Sequence, residues 1–291
     1  MSETTPPSAE PIAVVIPVHN AAERVATLVT EWNDALCSLG REYALIVVND
    51  GSTDGTAAAL AQLATRLPLL RLVSHEKRLG FGACLRTALA EVTLPLVAYV
   101  LPDYPYRPAD LPKLLDRLAQ PAEVPVYEQP VVPDAASGCR TGRRVPAFWR
   151  GVGWCYRTFC RVILGATIEP LHGWLGWRNH VRSWFIWLTM GVPLTDVNSG
   201  FKVFRRSVFD RFPLQSDGDF VHAEIFAKLT FLSCLVAEEP LTPAVEAVPP
   251  SQWSDFWRVF KYPAFHHPLP DLSQAMAPPP PAPLADGVVT E

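Results

Sequence analysis

The first half of the chain predicts an α/β fold, a Rossmann-like, mostly parallel sheet flanked by helices. Two observations carry this. Four runs of strand length are apolar at nearly every position, as in strands buried on both faces. Helical patterns separate them, and a repeated strand–helix–strand order implies parallel strands joined by right-handed crossovers.

The elements follow in order. Ile12–Val18 (IAVVIPV) is the first strand. Asn20, with Glu23 three residues later, forms a capping arrangement for the first helix. Val25, Leu28, Val29, Trp32 and Leu36 then mark one apolar face, and Gly40 ends the helix. Tyr43–Val48 (YALIVV) is the second strand, and Thr56–Leu67 the second helix. Leu69–Val73, a helix over Gly82–Glu91 and the strand Pro95–Leu101 complete the series. Ligands of such sheets bind at the carboxyl ends of the strands. Polar residues collect there: His19 and Asn20, then NDGSTDGT, then Lys77 and Arg78, then LPDYPYRP.

The chain has 291 residues, of which 49% are hydrophobic, so a sizeable core is available. Its formal net charge of −4 argues against nonspecific nucleic-acid binding. Six cysteines contain no CxxC pair and follow no signal peptide, so they read as reduced thiols of a cytoplasmic protein. No apolar stretch reaches the roughly 20 residues of a membrane span. Residues 1–11 and the proline-rich stretch 266–291 read as disordered, leaving an ordered body over 12–265. Residues 139–190 are rich in tryptophan and arginine. That pattern suits helices lying in a membrane interface. It equally suits a helical cap whose arginine stems pack on apolar surface.

Four stretches carry the functional signal: VVIPVHNAAERV, VVNDGSTDGT, RLGFGACLRTAL and DVNSGFKVFRRSVFD. In this order they resemble the family 2 glycosyltransferases of the GT-A fold. The likeness is greatest to the branch holding dolichol-phosphate mannosyltransferase and bacterial polyprenyl-phosphate sugar transferases. The resemblance covers about residues 12–235. It implies a nucleotide-diphosphate sugar donor, a divalent cation (Mg or Mn) and inversion at the sugar carbon. A polyprenyl phosphate acceptor would bring the protein to the cytoplasmic face of a membrane.

The resemblance also assigns residues. Pro17, His19 and Asn20 match the first-strand loop, where the family usually has an aromatic at the histidine position. Asn49 and Asp50 match a double aspartate that contacts the nucleoside, with Asn in place of the first acid, and Asp54 matches the acid that follows. Arg78 and Gly80 match a donor-side, glycine-containing segment that usually opens with Asn. After the fourth strand the family has two acids separated by one residue, then a Gln. Here Leu101, Pro102 and Asp103 fall on the triplet and Pro105 on the Gln, so the metal-ligating acid is kept as Asp103 without its companions. His222 is a possible further ligand. Arg140, Arg143, Arg144, Asn198, Ser199 and Lys202 are candidates for binding the acceptor or the leaving diphosphate. Asp196, Asp219 and Glu224 are candidates for base or sugar recognition; a helix cap is the alternative for Asp219. With so thin a metal motif, a noncatalytic nucleotide-sugar-binding relative and a transferase acting on a soluble glycan stay open.

Overall fold

The structure is a computed structural model, described for residues 10–101, 106–122, 130–140, 194, 196–197, 199–241 and 255–266. Seven strands form one sheet: β1 (Ile12–Val18), β2 (Tyr43–Asp50), β3 (Leu70–His75), β4 (Leu96–Val100), β5 (Ala135–Arg140), β6 (Phe201–Arg205) and β7 (Val236–Leu241). Their order is β3-β2-β1-β4-β6-β5-β7. β1 to β4 are parallel, β6 runs antiparallel to β4 and β5, and β7 is parallel to β5. One reversed strand thus sits inside an otherwise parallel sheet.

The apolar runs become central strands for the reason their composition gives. All seven residues of β1 are buried, as are the five of β4. Helix α1 (Val25–Ser38) buries Val25, Val29, Trp32 and Leu36. Fully burying four such side chains is worth roughly 1.5–3 kcal/mol each. Helices α2 (Thr56–Ala64), α3 (Phe81–Glu91), α4 (Leu111–Ala119) and α5 (Val221–Phe231) cover the sheet, and α6 (Phe256–Lys261) is a short outer helix. Apolar side chains form one cluster on each face of the sheet.

One local expectation fails. The first helix begins at Val25, not beside Asn20, and no side chain caps it. Asn20 has φ 49°, a left-handed conformation that an Ncap residue does not adopt. Its side chain is drawn instead to the β2–α2 loop, where Oδ1 accepts from the Thr53 amide at 2.9 Å. A distant backbone donor has won over the local cap.

Candidate active site

Chain order places the site. From β1 the chain moves outward to β2 and β3, then returns to the other side of β1 as β4. The carboxyl ends of β1 and β4 therefore flank a topological switch point, where open α/β sheets leave a crevice. Pairing of β1 with β4 stops at Val15↔Tyr99, while β1 stays paired with β2 up to Val18↔Asn49. Pro17 lies past the last β4 partner, where a strand residue without an N–H loses no ladder bond on that side. A cavity of about 310 Å³ exists elsewhere, lined by residues such as Arg41, Tyr43, Leu69, Glu91 and Thr93. These begin strands or precede them, so that cavity opens on the opposite edge, away from the switch point.

The loops at the crevice are tied to one another. The Asn20 amide donates to Ser52 Oγ at 3.0 Å, and the Ala21 amide to Thr56 Oγ1 at 2.8 Å. Asp54 Oδ2 accepts from the Ala22 amide at 3.1 Å, and its Oδ1 accepts from the Thr56 amide at 3.0 Å. The Thr56 hydroxyl is the main cause that holds the Asp54 carboxyl below the ordinary range. Asp54 thus fastens the β1 loop to the start of α2. Asn49 is buried, and its Oδ1 accepts from the Ser52 amide at 3.3 Å, closing the turn. His19 Nδ1 lies 2.7 Å from the Asp50 carbonyl oxygen.

Asp50 holds the next loop. Its Oδ1 accepts from the Leu79 amide at 2.8 Å and its Oδ2 from the Gly80 amide at 2.9 Å. His75, its register partner on β3, brings Nδ1 to 3.0 Å from Oδ1. The other nitrogen of His75 is 3.0 Å from Thr87 Oγ1 on α3. Burial alone would raise the Asp50 pKa; the bonds from His75, Leu79 and Gly80 outweigh it and hold the carboxyl below its usual range. Cys84 adds a sulfur nearby, and the potential ligand atoms of Asp50, His75 and Cys84 lie within 4.8 Å of one another. The aspartate oxygens are already taken up by amides, and burial pushes the Cys84 thiol far up, against thiolate formation. This is a hydrogen-bonded clamp from β2 through β3 to α3.

Two glycines make the clamp possible. Gly51 has φ +60°, and a Cβ there would lie 2.2 Å from the Lys77 carbonyl carbon and 2.4 Å from the Arg78 nitrogen. The Lys77–Arg78 backbone crosses directly over the β2 loop, and the Arg78 side chain is exposed there. Gly80 has φ +99°, and a Cβ there would lie 2.5 Å from the Asp217 carbonyl oxygen. That carbonyl accepts from the Gly82 amide at 2.8 Å. The amino end of α3 is therefore met by backbone of the 215–218 loop, so Gly80 and Gly82 serve close approach of backbone to backbone.

On the other side of the crevice, the Leu101 amide donates to the Gly200 carbonyl at 2.9 Å, and Tyr106 Oη lies 3.0 Å from Ser199 Oγ. The segment before β6 is thus held against the end of β4. Asp196 is buried there, with its amide donating to Glu238 Oε1 at 3.1 Å. Asp103, the residue expected to hold metal, lies outside the described residues, as do Arg143, Arg144 and Asn198. Leu101 and Tyr106, on either side of Asp103, contact the Gly200 carbonyl and the Ser199 hydroxyl. Arg140 ends β5, paired in register with Leu241.

Three expected site residues sit deeper than their motifs suggest. Lys202 is fully buried; it donates to the Ser199 carbonyl, and its Nζ lies 5.4 Å from the Tyr99 ring centre and 5.2 Å from that of Phe226. His222 is also fully buried, stacked on Phe81 at 4.8 Å with Nδ1 2.7 Å from Tyr99 Oη, so that nitrogen faces the core and not a metal at the edge. Glu224 is fully buried: Oε1 accepts from Gln215 N and Lys228 Nζ, Oε2 from Ser216 N, each at 2.7 Å. It fixes the 215–218 loop from within. Asp219 stays half-buried at the start of α5, with its backbone carbonyl accepting from the His222 amide at 3.3 Å. His75, Tyr106 and the Asp217 carbonyl escaped sequence reasoning, because each acts through a contact that only strand register or a long-range loop creates.

The sequence profile of Glycosyl transferase family 2 matches residues 13–212, which span the switch point, both sides of the crevice and the segment before β6. The chain belongs to this glycosyltransferase family. It is 26% identical over 114 residues to an undecaprenyl-phosphate 4-deoxy-4-formamido-L-arabinose transferase of Klebsiella pneumoniae, covering 39% of this chain and 35% of that protein. It is 29% identical over 123 residues to the Sodalis glossinidius protein of the same name, covering 42% and 37%. The match thus spans little more than a third of those relatives. Among solved structures, glucosyl-3-phosphoglycerate synthase of Mycobacterium tuberculosis with Mn2+, UDP and phosphoglyceric acid aligns with TM-score 0.55 and 18% identity, over 82% of this chain and 72% of that one. Its complex with Mg2+ and UDP aligns with TM-score 0.53 and 20% identity, over 82% and 73%. These likenesses show the GT-A fold. Among the described residues no helix is long and apolar enough to cross a membrane.

Proposed function

We propose that this glycosyltransferase moves a sugar, with inversion, from a nucleotide-diphosphate sugar to polyprenyl phosphate. The observation that carries the reading is the cross-tied set of loops at the switch point of a family 2 chain. Loops after β1, β2 and β3 are locked together by Asp54, Asp50 and Gly51, which leaves a pre-set wall for a nucleoside. The acceptor rests on the partial similarity to undecaprenyl-phosphate transferases.

Within this reading His19, Asn20, Asn49 and Arg78 line the donor side, and Asp103 would hold a cation. One carboxylate, completed by diphosphate and water oxygens, suits a hard divalent ion. Such an ion, when bound, neutralises charge on the departing nucleoside diphosphate. Arg140, Arg143 and Arg144 supply positive charge for the acceptor phosphate. A phosphate acceptor is already ionised, so Asp196 and Asp219 orient the acceptor or the sugar and need remove no proton.

The test is release of nucleoside diphosphate from UDP- and GDP-sugars in the presence of undecaprenyl phosphate and Mn2+. Turnover with a lipid phosphate supports the reading. Nucleotide binding without turnover for any donor would instead identify a binding relative.

A further inference from the structure

Four strands share a face that changes character within one pleat. β6 sets Phe204 opposite Val97 of β4 and Ala135 of β5, and Ala135 lies opposite Val236 of β7. All four are apolar. Two residues along, the same registers place Tyr99, Lys202, Ser137 and Glu238 in a row across β4, β6, β5 and β7. Directly opposed residues share a face, so these four side chains lie on one side of the sheet. Tyr99, Lys202 and Ser137 are no more than 1% exposed. Burying a charge costs free energy that an apolar side chain of similar size avoids, so packing alone does not call for a lysine here.

The two charged members of the row reach the turn that precedes β6. Lys202 Nζ donates to the Ser199 carbonyl, and Glu238 Oε1 accepts from the Asp196 amide at 3.1 Å. The Ser199 amide closes the turn by donating to the Asp196 carbonyl at 3.2 Å. Each charge thus meets a peptide group of opposite polarity, cation on carbonyl and carboxylate on amide, which is the stronger class of hydrogen bond. The rings of Tyr99 and Phe226 flank the lysine, with centres 5.4 and 5.2 Å from Nζ. His222 Nδ1 is 3.4 Å from Nζ and 2.7 Å from Tyr99 Oη. The same turn meets the end of β4, where the Gly200 carbonyl accepts from the Leu101 amide at 2.9 Å.

We propose that Lys202 and Glu238 are positioning residues. From the sheet they grip the turn by its Ser199 carbonyl and its Asp196 amide, and so set Asp196 for the acceptor. The proposal rests on the lipid-phosphate acceptor reading. Within it Lys202 acts through the turn and is not itself a phosphate ligand.

The full chain tests this in two independent ways. Without substrate, hydrogen exchange at the Leu101 amide reads how firmly the turn is held. Lys202→Met and Glu238→Ala should each speed it by about tenfold or more, the loss of one charge-assisted hydrogen bond. With undecaprenyl phosphate as acceptor, both variants should raise the acceptor KM by about tenfold while UDP affinity stays within about twofold of the parent's. Val203→Ala is the control for mere loss of packing. Val203 is fully buried one residue away, in the core cluster of the opposite face, so this variant should lower the melting temperature and leave the acceptor KM unchanged. Glu238 is half-buried on an edge strand, so E238A carries the test even where K202M fails to fold. Leu101 exchange that stays at the parent's rate in these variants overturns the proposal, as does an acceptor KM that moves no more than in V203A. A parent without turnover on undecaprenyl phosphate, together with faster Leu101 exchange in the variants, would sink the acceptor reading and leave the grip on the turn standing.

Discussion

Glu224 separates two accounts of the acidic stretch SDGDFVHAE. If it is a base, removing its charge stops chemistry and spares the fold. If it is the internal anchor of the 215–218 loop, the reverse holds. Glu224 and Lys228 are 0% and 2% exposed and one helical turn apart, and Lys228 also donates to the Pro213 carbonyl at 2.7 Å and to Gln215 Oε1 at 2.9 Å. Burial draws the Lys228 pKa down, against the stabilising charge of Glu224. In Glu224→Gln the ammonium faces a neutral amide, and one of the two loop amides loses its acceptor. Breaking a buried pair from one side costs about 3–5 kcal/mol, and the retained amide carbonyl places this variant near 3. For a domain of this size that lowers the melting temperature by roughly 6–12 °C. Adding Lys228→Met should be less damaging than the sum of the two single changes by about 2 kcal/mol, because it removes the stranded charge. Turnover per folded molecule should stay within a few-fold of the parent, measured by nucleotide release well below the melting range. A Glu224→Gln protein that melts with the parent and loses about 10²–10⁴ in kcat would refute the anchoring role and restore the base.

Three further outcomes follow from the same geometry. Asp50 has a depressed folded pKa, so its stabilisation is complete well above the unfolded carboxylate value of about 3.9 and is lost as pH falls through the lower folded value. Thermal melts of Asp50→Ala should therefore show a flatter acid limb than the parent, and parallel limbs would contradict the clamp. Gly51→Ala places a methyl against the Lys77–Arg78 backbone in a left-handed conformation; that conformation alone costs about 1–2 kcal/mol, and the clash adds to it. Urea unfolding and UDP titration should both weaken, whereas Gly40→Ala, at φ +64° with nothing within 4 Å, should show the backbone cost only. Asp103→Ala should keep its fold by circular dichroism and lose about 10²-fold or more in Mn2+-dependent turnover; unchanged turnover would exclude it as the metal ligand.

The sheet was legible because its signal is local. Residues 12–18 and 43–48 are apolar at nearly every position, and only strands buried on both faces tolerate that composition. β2 runs two residues further than its apolar run, to Asp50, because the ladder with β3 continues through Asn49 and Asp50. The motif order also made the family readable. The roles of single polar residues were not readable in the same way. Asp50 belongs to a motif that suggests ligand contact, yet its carboxylate is engaged by two amides some 30 positions later and by a histidine set opposite by register. Lys202 and His222 were legible as polar residues near the right motifs, but their full burial depends on strand pairing and helix phase. No local pattern encodes those distances.

That difference has a chemical consequence within the proposed function, in which Asp103 alone would hold the cation. Loops held by long-range hydrogen bonds to Asp50, Asp54 and Glu224 would keep their shape if a neighbouring metal ligand were lost. In this chain the loops after β1, β2 and β3 are tied to one another by side-chain and backbone hydrogen bonds. Loss of the second carboxylate can thus weaken metal affinity without dismantling the nucleotide pocket. UDP affinity measured with EDTA and with Mn2+ distinguishes the cases: a self-supporting wall keeps measurable binding in EDTA and gains modestly with metal. Complete loss of binding in EDTA would mean that the cation organises the pocket and that the cross-tied loops are insufficient without it.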